Sequence, residues 1–70
     1  MNVKEQRESY NEIMKELYQE GYARRGNLEY TVNEIESHIE VYCKGKLLDT
    51  VRTPHEVWES VLEQAENIAI

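Results

Sequence analysis

Three sets of residues in this chain have the types and spacing to do chemistry. The first is a pair of glutamate rows. Glu56, Glu59, Glu63 and Glu66 follow at steps of three, four and three, and Glu8, Glu12, Glu16 and Glu20 at steps of four. On α-helices both spacings line carboxylates along one face. Like charges four apart weaken a helix by roughly 0.2–0.5 kcal/mol per pair. Such a row is either a solvated face that keeps a small protein soluble or a negative surface that attracts a basic partner. Lys4 and Lys15 lie near the Glu8–Glu20 row, whereas Thr53–Ile70 holds no lysine or arginine at all. The residues expected to meet a basic protein surface are therefore Glu59, Glu63 and Glu66, then Glu12, Glu16 and Glu20. The expectation carries a condition. The two rows must lie side by side in the fold with no arginine or lysine between them.

The second set is basic. Arg24 and Arg25 adjoin, Lys44 and Lys46 flank Gly45, and Tyr42 stands two residues before Lys44. A basic hairpin tip beside an aromatic ring can hold a phosphate and stack a base. The competing reading has Arg24 and Arg25 facing the negative end of a helix dipole and the lysines solubilising a turn. Net charge weighs against the first without excluding a local basic patch. Fourteen acids against eight bases give −6, a field that disfavours nucleic acid and anionic membrane as partners.

The third set is Cys43, His38 and His55, the nucleophile and base types. In a strand with a period of two, Cys43 falls on the opposite face from His38, which argues against a dyad. Cys43 shares the parity of Ile39 and Val41 and reads as a small buried hydrophobe. Neither histidine has the paired spacing of a zinc site, and the three glycines are too scattered for a phosphate-binding loop. The expected protein is not an enzyme and needs no cofactor.

The elements that must carry these residues are legible in outline. Tyr10, Ile13, Met14, Leu17, Tyr18 and Gly21 recur at helical spacing. Arg24-Arg25-Gly26 resembles a helix end, with glycine in the left-handed position, so the first helix is expected over about residues 3–25. Tyr10 and Tyr18 would bury their rings there, and Tyr22 would fall at the edge of the apolar stripe. Ile35, Ser37, Ile39, Val41 and Cys43 alternate with polar residues as in a strand. Lys44-Gly45-Lys46 supplies a turn, and Leu47–Arg52 a second strand. Tyr42 would share a strand face with Lys44. Leu28, Tyr30 and Val32 suggest a further strand, although Asn27 is also able to cap a short helix there. Thr53, Pro54 and Glu56 form a capping signal for a helix running to the C-terminus. Its apolar face would be Val57, Trp58, Val61, Leu62, Ala65 and Ala69.

The expected fold is thus α+β, one domain over residues 1–70, ordered α-β-β-β-α. Two amphipathic helices would pack on one face of a small antiparallel sheet. Seventy residues give a core of marginal size, so a homodimer through the open sheet face or an edge strand is a further expectation. A single cysteine and a polar N-terminus point to the cytoplasm. The function these features suggest is a small, acidic, non-enzymatic interaction module, an adaptor or inhibitor. The alternative is nucleic-acid contact through Arg24, Arg25, Tyr42, Lys44 and Lys46.

Overall fold

The computed structural model describes every residue from Met1 to Ile70. Helix α1 spans Val3–Glu20 and opens with Asn2, whose Oδ1 accepts from the Glu5 amide at 2.9 Å. It closes on Gly21, not Gly26. Gly21 takes the left-handed conformation at φ 73° and returns its amide to the Leu17 carbonyl. The helix is five residues shorter than its sequence suggests because Tyr22–Arg25 is claimed by a strand partner. That segment is β1, and β2 (Leu28–Asn33) pairs with it from Tyr22↔Thr31 to Arg25↔Leu28. Arg24 and Arg25 are strand residues and do not cap a helix.

β2, β3 (His38–Cys43) and β4 (Lys46–Val51) complete a four-stranded antiparallel sheet in the order β1-β2-β3-β4. The class is α+β, with one strand more than the sequence showed. Ile35, expected to begin a strand, lies in the β2–β3 loop and is 93% exposed. Asn33 Oδ1 accepts from the Glu36 amide and Ser37 adopts φ 57°, which turns the chain early. Between β3 and β4 the turn is the two-residue kind. Lys44 at φ 52° and Gly45 at φ 81° are both left-handed, the twist that suits a hairpin. Lys44 therefore leaves the strand and shares no strand face with Tyr42.

α2 (Pro54–Glu63) begins as expected, with the Glu56 amide donating to Thr53 Oγ1 at 3.2 Å. It does not run on unbroken. At Gln64 the backbone departs to φ −105°, ψ 21°, and a short α3 (Ala65–Ile68) follows. Leu62 and Ala69, expected on the apolar face, are exposed.

One cluster joins all seven elements. Ile13 and Leu17 of α1, Val57 and Val61 of α2, and Ile68 of α3 meet Ala23, Leu28, Tyr30, Val41 and Val51 of the sheet. On β2 burial alternates at Leu28 and Tyr30, the period of a half-covered strand. Tyr30 is completely buried, and its hydroxyl meets Ser60 Oγ at 3.0 Å. Desolvation pushes that hydroxyl above its ordinary pKa, against a smaller opposing effect of the Ser60 bond. Trp58 ties α2 to α1. Its ring meets Tyr10 edge-on at 5.5 Å, and Arg7 lies over it at 4.9 Å.

The β1–β2 turn is fixed by the C-terminal end. Gly26 adopts φ 56°, and a Cβ there would collide with the Asn67 carbonyl oxygen and approach that of Ile68 to 2.7 Å. The Asn27 amide donates to the same Asn67 oxygen at 3.0 Å. Gly26 is thus required by a tertiary contact rather than by a helix end.

Candidate functional site

The two glutamate rows meet different fates. Arg25 reaches from β1 to α1, where its Nη2 donates to Glu12 Oε2 at 2.9 Å and to Glu16 Oε2. These bonds, the one to Glu16 foremost, hold the guanidinium above its ordinary pKa. Arg7 sits on Trp58 at the α1–α2 junction. The α1 row is therefore partly neutralised, and the condition that the two rows form one face free of cations is not met, which leaves the α2 row to be judged by itself. Glu20 remains exposed.

The α2 row is in a different state. Glu59, Glu63 and Glu66 are exposed, and no lysine or arginine bridges any of them. The single side-chain contact of these three brings Glu59 Oε1 to 3.3 Å from His55 Nε2, one helical turn back. The Glu56 carboxylate accepts from the Thr53 hydroxyl at 3.3 Å.

The basic residues are dispersed. Arg25 is committed to α1. Arg24 lies opposite Glu29 on β2, and Glu29 lies opposite Tyr42 on β3, so an acid separates the arginine from the aromatic ring. Tyr42 is itself engaged: its hydroxyl donates to Glu40 Oε1 at 2.8 Å. Lys44 and Lys46 stand exposed at the β3–β4 turn.

Sequence reasoning missed the polar cluster around Glu40. Its Oε2 accepts from His38 Nε2 at 3.1 Å and from Asn33 Nδ2 at 3.2 Å, in addition to the Tyr42 bond. A carboxylate can only accept, so His38 Nε2 is the donor in this contact. The Tyr42 bond, then those of His38 and Asn33, hold the Glu40 carboxyl below its ordinary pKa. The same bond raises the Tyr42 hydroxyl. His38 Nδ1 is buried without a partner. Strand alternation, which puts residues 38, 40 and 42 on one face, was the available signal. Cys43 is on the other parity, half-buried and packed against the core. No three histidine, cysteine or acidic residues come together as metal ligands, and no helix is long and apolar enough to cross a membrane.

No protein family, curated protein or solved structure gives a significant match to this chain.

Two further surfaces bear on association. β4 is an edge strand that exposes Leu47 and Leu48. Its pairing with β3 is irregular at Val41/Tyr42, and Asp49 Oδ1 accepts from the Thr50 amide at 2.8 Å. A bulge and an acidic side chain on an edge are devices that oppose strand addition. The other surface is a cleft of about 430 Å³ between α1, the β2–β3 loop and the β4–α2 junction. Tyr18 lines it and is 79% exposed, where helical spacing suggested a buried ring.

Proposed function

We propose that this protein is a cytoplasmic, non-enzymatic interaction module that presents the outer face of α2 and α3 to a basic protein surface. The observation that carries the reading is the contrast between the two rows. Arg25 engages Glu12 and Glu16, whereas Glu59, Glu63 and Glu66 are exposed and bridged by no arginine or lysine. Carboxylates left in this state gain most from a partner that supplies the missing cations. Their field would speed encounter and weaken with salt. Glu12 and Glu16 act mainly within the fold.

The test begins with cross-linking in native lysate, followed by purification of the captured partner. Its affinity is then measured for the wild type, for E59K/E63K/E66K and for E12K/E16K/E20K. The α2–α3 triple variant should bind at least about tenfold more weakly, with the loss greatest at low salt. The α1 variant should lose less. Unchanged affinity in the α2–α3 variant would end the proposal.

A further inference from the structure

The cleft beside Tyr18 has a floor and a mouth of different chemistry. The floor is Met14, Leu17, Val32 and Ile39. Met14, Val32 and Ile39 pack against the core yet remain only partly buried, so the core is left uncovered at this end. At the mouth stands Arg52, which is exposed and makes no ion pair within the chain. Thr53 and Pro54, the first residues of the α2 terminus, line the same side, where Glu56 in the first turn offsets the helix dipole and leaves Arg52 as the cation of the mouth. Glu34 is the one acid on the rim, on the β2–β3 side. His38 also lines the cleft, but its unpartnered Nδ1 is sealed from solvent and offers a ligand nothing.

A volume of about 430 Å³ lies within the range of small-molecule sites. An apolar floor with a single unpaired cation at its mouth matches one ligand chemistry, an alkyl chain headed by an anion. We propose that the cleft binds an amphipathic carboxylate of medium chain length. The chain would cover Met14, Leu17, Val32 and Ile39, and the carboxylate would accept from the Arg52 guanidinium. This site does not depend on the acidic face of α2.

The test uses the full chain and three probes of equal chain length: octanoate, octanol and octylammonium. Binding is followed by amide chemical shifts and by calorimetry. Octanoate should produce saturable shifts confined to Leu17, Val32, Ile39 and Arg52–Thr53. It should bind about tenfold more tightly than octanol, the worth of one charge-assisted hydrogen bond. Arg52→Gln, an exposed change that leaves the core intact, should remove that advantage while octanol binding persists. Glu34→Gln should strengthen octanoate. Three results would each overturn the proposal: shifts that never saturate or spread over the whole surface, octylammonium binding as tightly as octanoate, or an Arg52→Gln protein that still prefers octanoate.

Discussion

Tyr30 and Ser60 stand thirty positions apart in the chain and share one hydrogen bond of 3.0 Å inside the core. Ser60 is the one buried polar residue, and the sheet supplies its partner. A buried donor or acceptor left alone costs about 1–3 kcal/mol, while removal of both partners is close to neutral. Tyr30→Phe and Ser60→Ala should each destabilise the protein by about 1–2 kcal/mol in urea denaturation. The double variant should lose less than the sum of the two. Strict additivity would show that the bond couples nothing.

Gly26 should tolerate no side chain. Its left-handed backbone and the adjacent Asn67 carbonyl oppose even a methyl group. Gly26→Ala should cost about 2–4 kcal/mol, in the range of severe core lesions. Gly45→Ala faces open space and strains only the backbone, at about 1 kcal/mol. Thermal melts of the two variants make the comparison, and equal losses would contradict the docked turn.

Glu40 predicts a pH effect. Its folded pKa is depressed, so the unfolded chain binds the proton more readily. The stability it contributes is present above the ordinary carboxylate range and is lost as pH falls through the folded value. Glu40→Gln should remove that part of the acid sensitivity, read as the difference between two stability–pH curves. Tyr42 and Tyr30 are shifted the other way, upward. Their contribution is present below about pH 10 and lost as pH rises beyond it. Tyr42→Phe should flatten both limbs, because one bond raises the tyrosine and lowers the glutamate.

Arg25 should matter more to the field than to the fold. It is partly exposed, and ion pairs of that kind contribute about 0–1 kcal/mol. Arg25→Gln should therefore lower stability by less than about 1 kcal/mol, with the loss largest at low salt, where Glu12 and Glu16 repel most. A loss of several kcal/mol would mean that the guanidinium anchors β1 on α1.

The contrast between what was and was not legible follows one physical line. The Thr53 cap and the Lys44-Gly45 turn are local arrangements, written within four residues, and both stand where the sequence puts them. The end of α1 is not local. Gly21 and Gly26 both suit a left-handed position, and four residues between them are too few for alternation to register. Only the partner strand Leu28–Asn33 and the Asn67 carbonyl distinguish the two glycines. The binding features divide the same way. The glutamate spacing is visible in one dimension, but that Arg25 bridges Glu12 and Glu16 depends on β1 lying beside α1. The cleft is built from α1, two strands and a helix junction, and no sequence window contains it.

The strand order β1-β2-β3-β4 carries a kinetic consequence. Each strand pairs with its neighbour in the chain, so closing the sheet requires only three short loops. The contact between α1 and α2 instead joins the two ends of the chain. Loop-closure entropy makes the meander the early event and helix docking the late one. Tyr10→Leu and Trp58→Leu should thus chiefly accelerate unfolding, while Val41→Ala should slow refolding.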